Sequence, residues 1–195
     1  MPLLVIGGQA SKVGKTSVVV AILTRFREFQ WTAVKTTSHL HQPAHCELVA
    51  LADDWRIWKQ ISASSDNDTA RFLAAGAKTA LLLEAEDEAM PMAAAALQRE
   101  IATCTHVVIE SSRIVDFIQP DLFLMLLSAP GDQCKASVKE RVQRADILLL
   151  QGARTNLPPD LQAAMKHKPT FDCLIPIRED ESWINAVAAK IGAGS

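Results

Sequence analysis

Between an apolar run at 3–6 and a second at 18–23 lies Gly7-Gly8-Gln9-Ala10-Ser11-Lys12-Val13-Gly14-Lys15-Thr16-Ser17. Glycines let such a stretch wrap tightly, so that successive amide N–H groups point inward at one anion. A helix begun by the second apolar run adds the positive end of its dipole to the same spot. In that arrangement the Lys15 ammonium reaches the β- and γ-phosphates of a nucleoside triphosphate, ATP or GTP, and the Thr16 hydroxyl ligates the Mg2+ that rides on them. Gly8, Gln9, Ala10, Ser11, Lys12, Val13, Gly14, Lys15, Thr16 and Ser17 are the candidate nucleotide-binding residues.

Two more side chains belong to this chemistry by position. Residues 31–37 read as a strand with polar last residues, and ligands gather where the strands of a strand-helix-strand unit end, so Lys35 is aimed at the phosphates. Residues 106–110 read as a buried parallel strand that terminates in Glu110, whose carboxylate can hold magnesium directly or through water. Lys15, Lys35 and Glu110 are the candidate catalytic residues, and Thr16, Glu110 and Asp68 the candidate magnesium ligands. His39, His41, His45 and Cys46 offer ligand chemistry suited to zinc. They sit in a loop with Pro43 and match no standard finger spacing, so they are expected to contact substrate and not a structural metal.

The elements that must position these groups alternate. A helix follows the loop, with Val19, Ile22, Leu23 and Phe26 on one face. Leu48, Leu51, Trp55, Trp58 and Ile61 recur at three- and four-residue steps, which predicts an amphipathic helix over 47–61. A polar link at 62–67 precedes a short helix from Asp68, its expected N-cap, to Gly76, its stop. A strand follows at 80–83, and the acidic run Glu84, Glu86, Asp87, Glu88 is expected to start the helix at 90–102. Pro120-Asp121 opens a strand at 122–127, and a turn at 128–132 leads to a solvent-facing helix at 134–144. Strands at 145–150 and 171–175 and a helix at 179–191 with Trp183, Ile184 and Val187 inward complete the pattern. The outcome is one doubly wound α/β domain over 1–195, a mostly parallel sheet of about seven strands with helices on both faces, and an insertion at 38–67.

The chain is 195 residues long, 49% apolar and 22% charged, with a net charge of −2, which describes a soluble globule with no nucleic-acid footprint. No apolar run is long enough to span a membrane and no secretory signal is present. Scattered cysteines at 46, 104, 134 and 173 read as thiols of a reducing compartment, so a cytoplasmic location is expected.

The loop Gly8-x5-Gly14-Lys15-Thr16 is one residue longer than the common fingerprint. It resembles the loop of dethiobiotin synthetase and of cobyrinic acid synthase, in the SIMIBI branch of P-loop NTPases. Asp68-Thr69-Ala70-Arg71 leading to Ala75-Gly76-Ala77, and Val34-Lys35-Thr36, are similar to the Asp-Ser-x-Arg…Ala-Gly-Ala segment and the Ile-Lys-His strand end of the molybdopterin-guanine dinucleotide biosynthesis protein B family. That resemblance implies a P-loop NTPase fold and a Mg-dependent NTPase serving molybdenum cofactor biosynthesis. It also implies a glutamate at the end of the strand that carries Glu110. The dethiobiotin-synthetase likeness implies instead an ATP-dependent ligase or kinase acting on a small substrate, and a nucleotide-binding adaptor is a third reading. The expected partners are a nucleoside triphosphate with a small-molecule substrate or a partner enzyme, and a homodimer is one assembly; nucleic acid and membrane are not expected. Residues 151–154 carry no Asn-Lys-x-Asp signature, so guanine reading has no support in the sequence.

Elemental analysis tests the reading of the histidine loop. Untagged protein should carry no stoichiometric zinc, and a chelator should leave its melting temperature unchanged. Zinc at one per chain with a lower melting temperature on chelation would make the loop a metal site.

Overall fold

The computed structural model describes residues 2–129, 136–177 and 182–192. Its strands are β1 (Leu3–Gly8), β2 (Thr32–Thr37), β3 (Cys46–Leu51), β4 (Trp55–Gln60), β5 (Thr79–Ala85), β6 (Val107–Glu110), β7 (Leu122–Ser128), β8 (Ile147–Gln151) and β9 (Thr170–Asp172). The helices are α1 (Lys15–Arg25), α2 (Asp68–Ala74), α3 (Met90–Ile101), α4 (Ala136–Arg144), α5 (Pro159–Ala164) and α6 (Ser182–Ile191). All nine strands form one sheet in the order β3-β4-β5-β2-β6-β1-β7-β8-β9. The seven from β5 to β9 in that order are parallel, and β3 and β4 add an antiparallel edge.

Alternation along β1 sends its side chains to opposite faces of the sheet, and each face is covered by helices. Leu3 and Val5 join the core under α3, α4 and α5, with Leu97, Val142 and Leu161. Leu4 and Ile6 join the core under α1, α2 and α6, with Val19, Phe72 and Trp183. A parallel sheet covered on both faces reads as continuous apolar runs, and β1, β6 and β7 are buried along nearly their whole length.

The largest departure from expectation is at 47–61, where a hairpin of β3 and β4 replaces the predicted helix. The register steps from Leu48↔Trp58 to Ala50↔Ile57, so a bulge inserts one residue at Val49. Cross-strand partners share a face, which puts Leu48 and Leu51, three apart, on one side of the sheet. A bulged strand therefore imitated the helical step. Three smaller corrections share one cause, in that an end residue belongs to whichever element pairs it. Asn67, and not Asp68, caps α2, its Oδ1 accepting from the Ala70 N–H at 2.7 Å. Glu84 does not start a helix; it lies in β5 and is fully buried, while Glu86, Asp87 and Glu88 occupy the turn before α3. The last strand is shorter than 171–175 and ends at Asp172. The helices expected at 134–144 and 179–191, and the turn at 128–132, are described only from residue 136, from residue 182 and as far as residue 129.

Glu84 is held by the hairpin. Trp58 Nε1 donates to its Oε2 at 2.9 Å, and the His41 Nδ1 lies against Oε1, which pins the loop 38–45 to the sheet edge. A buried carboxylate oxygen that loses its donor bears a desolvation cost of about 1–3 kcal/mol. Trp58→Phe keeps an aromatic ring but removes that donor and part of the packing, leaving Oε2 with only the longer His41 N–H contact at 3.4 Å, so urea unfolding should show a loss of about that size or more; an unchanged midpoint would mean that water replaces the indole N–H.

Candidate functional site

The chain leaves β1 at Gly8, turns through residues 9–14 and enters α1 at Lys15. Gly14 caps the helix at φ 95°, a left-handed conformation that a glycine adopts without strain, and a Cβ there would collide with the Ile175 side chain. No side chain caps α1, so its first-turn N–H groups face the loop interior, where an anion can satisfy them. The loop is tied down from three sides. Gln9 N–H donates to the Leu126 carbonyl at 2.9 Å, the Gln151 amide donates to the Val13 carbonyl at 2.6 Å, and Ser112 Oγ both accepts from Gly8 N–H and donates to Gly8 O at 2.9 Å. A cradle fixed this way needs little reordering when a ligand arrives.

The charged groups meet because of strand register. Lys35 of β2 and Glu110 of β6 are direct neighbours in the parallel ladder, and Ile6 of β1 is the other neighbour of Glu110. Glu110 is only 2% exposed. Its Oε1 pairs with Lys35 Nζ, and its Oε2 accepts from the Thr16 hydroxyl at 2.8 Å. Lys35 also pairs with Asp68 at 2.8 Å, and Asp68 with Arg71 at 3.4 Å. Burial pulls the Lys35 pKa down, but the charges and hydrogen bonds of Glu110 and Asp68 outweigh it and leave the value raised. Lys15 is pulled the other way: burial first, then Lys35, depress it more than Glu110 and Asp68 restore it. Its ammonium meanwhile donates to the Ala10 carbonyl at 2.8 Å across the loop. Thr16 and Glu110 supply an all-oxygen donor pair of the kind magnesium takes, so these residues fit that ion.

Lys15, Thr16, Lys35, Asp68 and Glu110 line one cavity of about 920 Å³, together with every loop residue from 8 to 17 except Val13, whose side chain packs in the α1-side core. His39 lines it as well. The other members of the histidine loop are dispersed. His41 faces Glu84, His45 is exposed, and the Cys46 thiol donates to Gln60 Oε1 at 3.2 Å. Among the described residues no three His, Cys, Asp or Glu side chains converge on a metal position. Cys46 and Cys104 are free thiols, and Cys134 lies outside the described residues. The sequence reading overlooked Gln151 and Ser112 as anchors of the loop; the signal available was that each sits at or just past the C-terminal end of a strand.

No protein-family model matches the chain, and no curated protein does. Solved structures do. The hydrogenase maturation factor HypB of Archaeoglobus fulgidus superposes with a TM-score of 0.65 over 98% of this chain and 90% of its own, at 13% identity. HypB of Helicobacter pylori, solved in complex with nickel, gives 0.58 over 100% and 88%, at 15% identity. The chain has the fold of the P-loop NTPases. LpxK of Aquifex aeolicus, solved with ATP, gives 0.50 at 15% identity over 88% of this chain, which spans about half (53%) of LpxK. Among the described residues no helix is long and apolar enough to cross a membrane.

The depressed Lys15 pKa has a consequence for stability. The unfolded chain holds this proton more tightly than the folded one, so stability rises with pH between the folded and unfolded pKa values, and below that window the charged lysine weakens the ligand-free fold. Lys15→Ala should therefore melt no lower than the parent at neutral pH while losing triphosphate binding in calorimetry. A clearly lower melting temperature, or unchanged nucleotide affinity, would show that Lys15 is structural and not a phosphate ligand.

Proposed function

We infer that the chain binds a nucleoside triphosphate as its magnesium complex and cleaves or transfers the terminal phosphoryl group. The observation that supports this most is the convergence of Lys15, Thr16, Lys35 and Glu110 on the open side of a preorganised amide cradle. That crevice lies at the C-terminal ends of β1, β2 and β6, where open α/β sheets take their ligands. Loop N–H groups and Lys15 would hold the β- and γ-phosphates, and Lys35, displaced from Glu110 by the incoming charge, would reach the terminal oxygens. Thr16 and Glu110 would hold magnesium, which when bound neutralises charge on the β- and γ-oxygens. Asp68 keeps Lys35 oriented, its other partner being Arg71.

The base has a place of its own. A cavity of about 750 Å³, aliphatic along Val20, Ala21, Ile175, Pro176 and Ile184 and rimmed by Thr24, Arg25 and Arg71, runs along α1 from Ser17. Ser17 and Arg71 line both cavities, so a nucleotide with its phosphates in the loop can extend into this one. Aliphatic walls make van der Waals contact with the face of either purine, which accords with the absence of an Asn-Lys-x-Asp signature and keeps ATP and GTP both admissible. The likeness of 34–36 and 68–77 to the molybdopterin-guanine dinucleotide biosynthesis protein B family favours a role in molybdenum cofactor biosynthesis.

Glu110→Gln tests the metal assignment because it keeps the shape and the Thr16 contact while removing the charge. Calorimetry should show nucleotide affinity about tenfold or more weaker in magnesium and changed much less in EDTA, since the carboxylate acts through the ion. Equal losses in the two buffers would make Glu110 a purely structural partner of Lys35.

A further inference from the structure

The phosphate cavity is more cationic than a triphosphate site requires, and the surplus lies on one side. Its lining holds six lysines and arginines, Lys12, Lys15, Lys35, Arg71, Arg113 and Arg141, against the two acids Asp68 and Glu110. Lys15 and Lys35 stand over the loop and Arg71 beside the α1-side cavity. Arg113 and Arg141 come from the opposite face of the sheet. Arg141 is on α4, whose Val138 and Val142 pack in the core under α3, and Arg113 opens the short 3-10 turn Ile114–Asp116, whose Ile114 packs in that same core.

Both guanidinium groups are already anchored by acidic partners that do not line the cavity. Arg113 pairs with Asp87, which is 81% exposed, and Arg141 donates to Asp116 at 2.8 Å. A guanidinium carries five donors in a planar fork, so an arginine anchored on one edge still presents N–H groups to the cavity, with its rotamer entropy already lost. Two cations in one wall also repel. Burial, and after it the Arg141 charge, push the Arg113 pKa below its ordinary value. An anion lodged between them would relieve both penalties. Ser137 lines the same cavity and adds a hydroxyl donor.

We propose that the region between Arg113 and Arg141 is a second anion subsite, which takes the carboxylate or phosphate group of a small co-substrate bound together with the nucleotide. This rests on the nucleotide reading for its orientation. With the base along α1 and the triphosphate in the loop, the subsite lies on the far side of the terminal phosphate, where a phosphoryl acceptor or an activated acid would sit.

The test loads the full chain with magnesium and a non-hydrolysable ATP analogue, then titrates inorganic phosphate and, separately, malonate. Saturable binding of either anion to the loaded protein is expected, weakened about tenfold or more in Arg113→Gln and in Arg141→Gln, with analogue affinity within about twofold of the parent. Binding of malonate alone would assign a carboxylate ligand, and binding of phosphate alone a phosphorylated one. Because Asp87 and Asp116 are exposed, neither variant strands a buried charge, and Arg141→Lys, which keeps the charge without the fork, should recover part of the affinity. No saturable anion binding to the loaded protein, or binding that both glutamine variants leave intact, would overturn the subsite. So would loss of analogue affinity in those variants without a second anion, since the arginines would then belong to the triphosphate. If the analogue itself fails to bind, the nucleotide reading falls. The anions are then titrated into the nucleotide-free chain: sensitivity to Arg141→Gln but not Lys15→Ala sustains the subsite, and the reverse pattern refutes it.

Discussion

A carboxylate that is 2% exposed has to be paired, and the pairing of Glu110 organises this molecule. Its partners come from three elements, the first turn of α1 through Thr16, the end of β2 through Lys35 and, beyond Lys35, the start of α2 through Asp68. Removing one member of such a set leaves an uncompensated buried charge, which is costlier than never having built it. The network thus locks α1, β2 and α2 around the mouth of the phosphate loop. It rests in turn on the parallel register that sets Lys35 beside Glu110, because a one-residue slip would send one of the two to the other face.

The loop itself follows a different logic. Its anchors are hydrogen bonds between its backbone and neighbouring strand ends, which fix the course of the loop, while no side chain caps the first turn of α1. Meanwhile Lys15 is held in a partly desolvated position near another cation. Such a site is stabilised by its ligand and strained without it, the usual relation between function and stability where charges of one sign are gathered. The extension of this cationic wall to Arg113 and Arg141 carries the same signature onto the opposite face of the sheet.

The edge of the sheet shows why periodicity can mislead. Apolar spacing of three and four is diagnostic of a helix only when each strand keeps strict alternation, and the bulge at Val49 breaks it. Asp53 and Asp54 between the two strands were the available turn signal. Most of the seven parallel strands, by contrast, were legible as apolar runs between polar or glycine-containing turns, with β9, Thr170–Asp172, the least apolar of them, and the hairpin accounts for the two additional strands.

What the sequence determined by itself was local: a strand, a glycine turn and a helix in that order, with Lys15 and Thr16 at fixed offsets, because the residue types that define a phosphate loop lie within about ten positions of one another, whereas the anchors Leu126, Gln151 and Ser112 that tie it down are distant. It also placed Lys35 and Glu110 at the ends of strands, since strand ends can be read from where an apolar run stops. Only the tertiary structure decided that these two strands are neighbours in register, that Asp68 joins them through Lys35, that the histidine loop scatters His39 and His41 to different partners, and that Arg113 and Arg141 share one wall. Those outcomes depend on which strand lies beside which and on how far each helix is displaced across the sheet. They are contacts between residues tens of positions apart, and no local spacing encodes them.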